Sequence, residues 1–216
     1  MKNTLLFVTA CGILLFGQPV SAALVDQDWM TSGDANLLID TGTGMRWLDL
    51  SVTANQSYNN VAANLGQGGI YEGFRFATQS EVIDLWAHAG ITNTERVWVQ
   101  NGEFQAVKDL VNRLGPTVMI EPGLFTVATH TIGMVEGGPP LSANQRWAME
   151  LTYAPDGASI RTSANYYTWD ITFADDHYSS YLVQPVPLPA SIWLLLSGVF
   201  SLYTLMRHSH RRRNLR

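Results

Sequence analysis

The sequence predicts a single α+β domain, with two to three helices and antiparallel strands, set between two hydrophobic end segments. Three observations predict it. Apolar residues recur with helical period behind capping residues in the first half of the chain. Later, apolar and polar residues alternate around turn sequences, as half-buried strands require. Both ends carry apolar runs, whereas all 18 acidic residues lie between them.

Charge divides the chain the same way. Charged residues make up 14% of the 216, against about 25% in average proteins. Lys2, Arg207, Arg211, Arg212, Arg213 and Arg216 flank the end segments, which leaves seven basic residues against 18 acidic ones in between, a charge of about −11. A body this acidic repels phosphate backbones, which excludes nucleic acid as a partner. It suits solubility, or loose association with divalent cations.

The N-terminus has the three parts of a secretory signal peptide. Lys2 supplies the positive region, residues 5–16 the apolar run, and Val20-Ser21-Ala22 the small residues that signal peptidase reads. Cleavage is expected between Ala22 and Ala23. The apolar run is shorter than the roughly 20 residues that span a bilayer. Val8-Thr9-Ala10-Cys11 also has the form of a lipoprotein box, but little apolar sequence precedes Cys11, and Ile13-Leu14-Leu15-Phe16 carries the run past it. Cys11 is the one cysteine, so a chain beginning at Ala23 has no disulfide, cysteine–zinc site or thiol nucleophile.

Residues 188–206 contain no charge. Nineteen residues at about 1.5 Å each make ~29 Å of helix, close to the ~30 Å hydrocarbon thickness. Trp193 and Tyr203 fall toward the two ends, where amphipathic rings prefer to sit, and five arginines follow. The positive-inside bias keeps that tail cytoplasmic and residues before Pro187 outside. Val186-Pro187-Leu188-Pro189-Ala190-Ser191, a Trp-Leu-Leu-Leu-Ser-Gly run, and the cluster with Arg207, Arg211, Arg212 and Arg213 resemble the PEP-CTERM sorting signal in its VPLPA-type variant. The resemblance implies processing by an exosortase-type enzyme after transient residence in the inner membrane. The mature protein would then reach the cell surface or exopolysaccharide matrix of a Gram-negative bacterium. A permanent C-terminal anchor is the alternative. Pro185, Pro187 and Pro189 keep the segment before the helix extended, a form that a membrane-surface protease can grip. The expected organisation is a signal peptide over 1–22, an extracytoplasmic domain over 23–184, and a sorting segment over 185–216 with a membrane helix over 188–206.

Within the body, residues 37–39 and 45–48 read as a β-hairpin around Asp40-Thr41-Gly42-Thr43-Gly44. No phosphate-loop pattern or following lysine accompanies these glycines. Tyr58, Val61, Ala62 and Leu65 form a helical stripe that Ser57 can cap. Thr78 and Glu81 make a capping box for a helix burying Val82, Leu85, Trp86 and Ala89. Phe104, Val107, Val111 and Leu114 predict a third helix that stops at Gly115-Pro116. Strands are expected over 146–153, 159–162, 167–173 and 181–183, with a long loop over 135–144.

Thr43-Gly44-Met45-Arg46-Trp47-Leu48-Asp49-Leu50, Gly73-Phe74-Arg75-Phe76-Ala77-Thr78 and Glu81-Val82 resemble a module frequent in PEP-CTERM proteins. They are also similar to the Gly-x-x-Trp-Arg-Leu-Pro-Thr region of bacterial lectin-like domains. Phe74 stands where those have tryptophan, and Phe76-Ala77 where they have Leu-Pro. The resemblance implies a C-type-lectin-like fold whose first and last strands pair.

The sequence carries no HExxH and no Gly-x-Ser-x-Gly elbow. No cofactor is expected. His88, His130 and His177 stand apart, and His88 suits a helix C-terminus. Asp175-Asp176-His177 could bind metal or move protons, but also reads as a polar turn. Asp26, Asp28, Asp34 and Asp40 fit no calcium-loop spacing. Trp29, Trp47, Trp86, Trp98, Trp147 and Trp169 lie in the body; Trp47 and Trp86 occupy core-patterned positions, and Trp98 and Trp169 are the candidate exposed ligand contacts. The expected function is a non-catalytic binding or structural module associated with exopolysaccharide. A hydrolase acting on such a polymer is the alternative, because paired carboxylates are distant in sequence.

Overall fold

The computed structural model describes residues 23–92, 97–99, 103–117, 129–137, 142–154, 157–161 and 168–186. In chain order the strands are β1 (Leu24–Gln27), β2 (Leu37–Asp40), β3 (Met45–Leu48), β4 (Arg75–Phe76), β5 (Val97–Val99) and β6 (Thr129–Val135). They continue with β7 (Gln145–Ala154), β8 (Gly157–Arg161), β9 (Thr168–Asp170), β10 (Ser179–Ser180) and β11 (Leu182–Pro185). The helices are α1 (Tyr58–Ala63), α2 (Gln79–His88) and α3 (Glu103–Leu114), with a 3-10 turn at Leu50–Thr53. Among the described residues the architecture is α+β, with three α-helices and mostly antiparallel strands.

One sheet has the order β1-β2-β3-β11-β4, all neighbours antiparallel. The other runs β10-β6-β7-β8-β5, with β9 on the first residues of β7 and β10 parallel to β6. The β2–β3 hairpin closes because the Asp40 carboxylate accepts Gly42 N at 2.8 Å and Thr43 Oγ1 at 2.8 Å, while Gly44 turns through φ +68°. Successive side chains alternate between two cores. Leu38, Trp47 and Val183 join Val135, Met149 and Leu151 under α2 and α3, with Trp86, Val107 and Leu110. On the opposite faces Leu37, Leu48 and Leu182 meet Ile132, Met134, Ala148, Tyr58 and Phe76.

The helices begin where the capping residues predict. Ser57 Oγ accepts Asn60 N at 3.2 Å. The α2 capping box is complete: Thr78 N donates to Glu81 Oε2 at 2.8 Å, and Glu81 N to Thr78 Oγ1 at 3.3 Å. Arg75 then grips both Glu81 oxygens, at 2.5 and 2.9 Å, and with the Thr78 contacts holds that carboxyl at about 2. A depressed carboxyl stabilises the fold above its unfolded value near 4 and stops doing so as pH falls toward its folded value. Thr78→Ala is therefore expected to cost about 1 kcal/mol in urea unfolding at neutral pH. Glu81→Gln should remove part of the acid dependence between about pH 4 and 2. Unfolding curves unchanged in both variants would refute this role.

The two sheets are joined at Tyr181. Its N–H donates to Met134 O at 3.0 Å, its carbonyl accepts Ala77 N at 2.8 Å, and Ala77 O accepts Glu136 N at 2.8 Å. The side chain is fully buried, with its ring edge-on to Trp47. Gly133 has no side chain because a Cβ there would overlap the Tyr181 ring.

Two sequence expectations need correction. The strand expected over 167–173 ends at Asp170, whose Oδ1 accepts Thr172 N at 2.8 Å and turns the chain. The last strand, β11, pairs with β3 and β4, whereas β1 is an edge strand on β2. In register, Leu24, Asp40, Met45 and Pro185 stand side by side at one end of the first sheet. The chain thus enters and leaves the body from the same end, about 14 Å apart across three strand spacings.

Candidate functional site

The Asp170 turn sets the local geometry. It directs the chain from β9 back across the end of the second core, and three rings gather there. Trp169 lies 5.3 Å from Phe173 between centroids, nearly parallel, and 4.1 Å from Tyr178. Phe173 meets Tyr178 edge-on at 5.8 Å. The loop is pinned from below: Ile171 N donates to Asn144 O, Asn59 N to Ile171 O and Asn55 N to Asp175 O, all within 3.1 Å. Trp169 and Tyr178 are half-buried against Ile171 and the second core, while Phe173 is 39% exposed.

Carboxylates rim these rings. Thr172, through hydroxyl and N–H, holds the Asp170 carboxyl below its ordinary range. The His177 N–H and ring do the same for Asp175, with Nδ1 at 2.5 Å from Asp175 Oδ1 and 3.0 Å from Asp176 Oδ1. Asp175, Asp176 and His177 each place one donor atom within 4.8 Å of the others. Their hydrogen bonds to one another account for the grouping as a turn. Arg146, opposite Trp169 in register, is turned onto the Tyr58 ring at 4.7 Å and toward Glu136 at 4.0 Å. An apolar ring surface beside hydrogen-bond acceptors is suited to polyhydroxylated ligands with apolar C–H faces.

The other candidates fall elsewhere. Trp98 lies on β5, in register with Ser159 and so with Thr152, while Trp169 faces Arg146. Six residues along β7 separate those rows by about 20 Å. Trp47 and Trp86 are core residues, 1% and 0% exposed. His88 is more than a helix-end residue: its Nδ1 lies 2.7 Å from Oδ2 of fully buried Asp40. Beside it a cavity of about 260 Å³ is lined by Leu24, Ala106, Asp109, Leu110 and Arg113. Asp34 accepts four backbone N–H groups and Asp28 one, so loop closure occupies them. Asp26 lies 3.8 Å from Arg113. Val186 follows β11. Ala22, Pro187, Leu188, Pro189, Ala190, Ser191, Arg207, Arg211, Arg212 and Arg213 lie outside the described residues. Among the described residues no helix is long and apolar enough to cross a membrane.

The structure also brings together residues that no spacing announced. His130 Nδ1 lies 2.6 Å from Glu150 Oε1, and Thr152 Oγ1 donates to the same oxygen at 2.5 Å. All three are at least 96% buried on adjacent strands. Phe173 and Tyr178 were legible only as strand and turn residues, since the Asp170 turn that stacks them on Trp169 has no pattern of its own.

Compared with protein-family models, curated proteins and solved structures, the chain matches none.

Proposed function

We propose that this is an exported protein, processed at its C-terminus by an exosortase-type enzyme, whose body is a non-catalytic glycan-binding or structural module of the surface or matrix. The observation that carries the binding reading is the Trp169–Phe173–Tyr178 stack, with Phe173 open to solvent.

Intact-mass analysis of the secreted form is expected to show a chain that begins at Ala23 and lacks everything after about Pro185. A full-length chain recovered from the cytosol would overturn the export reading. Phe173→Ala should weaken retention on the organism's own exopolysaccharide by about 2- to 10-fold without lowering the melting temperature. Retention unchanged by that substitution would remove the ring stack from the account.

A second reading is a polysaccharide hydrolase, which needs a carboxyl raised above its usual range as general acid. Burial raises Asp49, whose oxygen also caps the 3-10 turn by accepting Ser51 N at 2.8 Å and Ser51 Oγ at 2.6 Å. Release of reducing ends by the secreted protein, lost in Asp49→Asn, would put a hydrolase in place of the binder.

A further inference from the structure

The ring stack sits in a one-signed field. Asp170, Asp175 and Asp176 lie on the segment that carries the rings, and Asp170 and Asp176 are exposed. His177 is the cation-forming side chain of that segment, and its Nδ1 is taken up by Asp175 and Asp176. Arg146, the basic residue opposite Trp169, has its charge balanced by Glu136 and its face spent on Tyr58. Three carboxylates against the one imidazole of His177 leave this segment net negative whether or not that ring is charged, in a body of about −11. Phe173 N donates to Asp170 O at 3.0 Å, and Asp175 and Asp176 follow two and three residues on, so a charged sugar stacked on Phe173 meets these carboxylates with a sign set by its own charge.

Resting on the glycan-binding reading above, we infer that the Trp169–Phe173–Tyr178 surface selects amine-bearing glycans, such as de-N-acetylated hexosamine polymers, and discriminates against uronic-acid polymers. The rings supply affinity common to all pyranoses through their C–H faces. The carboxylates supply the discrimination: they accept charge-assisted hydrogen bonds from a protonated amine, repel a uronate, and are nearly indifferent to a neutral sugar. The hydrogen bonds from Thr172 and His177 keep Asp170 and Asp175 ionised in mildly acidic medium, where sugar amines are protonated. Opposite charges on protein and ligand then coincide over a usable pH range.

The test uses the full chain in mild detergent and three oligosaccharides of matched length: glucosamine, glucose and galacturonate oligomers. Titration calorimetry in mildly acidic, low-salt buffer should rank them in that order, with the glucosamine oligomer about tenfold or more tighter than the galacturonate. Raising ionic strength should narrow the gap, since the carboxylates are exposed. Asp175→Asn with Asp176→Asn keeps the turn's acceptors and should abolish most of the amine's advantage over glucose. Equal or tighter galacturonate binding, or an amine advantage that survives both substitutions, overturns the selectivity; sensitivity to Phe173→Ala would then still uphold the ring surface. Failure of all three oligomers to bind, with Phe173→Ala silent, overturns the glycan reading itself.

Discussion

Ending the chain after Tyr181 is expected to unfold the body, whereas ending it after Val186 leaves it folded. The difference is β11. Its residues pair with Trp47, Arg46 and Met45 on one side and with Phe76 and Arg75 on the other, so it is an interior strand supplied by the last residues of the domain. Leu182 and Val183 are fully buried and feed the two opposite cores. Losing two such side chains costs about 4–10 kcal/mol at the rate measured for large core truncations. That is comparable with the total stability of a domain, about 5–15 kcal/mol. β3 and β4 would also expose unpaired edges. Circular dichroism melts of the two chains, both starting at Ala23, should show a cooperative transition for the longer alone. Matching transitions would mean that the sheet closes without β11. The same boundary limits where a processing enzyme can cut: anywhere beyond Pro185 spares the fold.

Glu150→Ala should destabilise the protein by about 3–5 kcal/mol, the cost of leaving one partner of a buried pair without the other. His130 and Glu150 lie on adjacent strands with Thr152 between them, and none reaches solvent. Removing the carboxylate takes a partner from both the imidazole and the threonine at once and leaves them only their contact with each other, at 2.9 Å. Replacing the group with apolar residues of similar volume should recover much of the loss, because desolvation of the pair offsets most of its attraction. Urea unfolding of Glu150→Ala and of the combined His130→Leu, Glu150→Met, Thr152→Val variant measures both. A loss below about 1 kcal/mol for the single change would show that the pair is not structural.

What was legible in the sequence was local. Thr78 and Glu81 announced α2, Ser57 announced α1, and the stripe from Val107 to Leu114 announced α3, because caps and helical period are written within a few residues. The β2–β3 hairpin followed from its glycine-rich turn. What was not legible depended on partners far along the chain. β1, β5, β6 and β10 are short or irregular in pattern and become strands through the neighbours they meet. The pairing of β11 between β3 and β4 joins residues more than 100 positions apart. Of the site, Trp169 was identified, but Phe173 and Tyr178 reach it through the Asp170 turn. His88 was read as a helix-end histidine, since its partner Asp40 is 48 residues away.

The placement of β11 has a mechanical consequence. A pull on the chain beyond Pro185 acts along the strand's own axis, toward the end from which it leaves the sheet. Backbone hydrogen bonds of an antiparallel pair stand perpendicular to that direction. They are therefore loaded together, in shear, on both flanks of the strand rather than opened one after another. An exit through an edge strand such as β1, peeled sideways, would part like a zip. A domain tethered through β11 resists drag at its far end with the whole ladder.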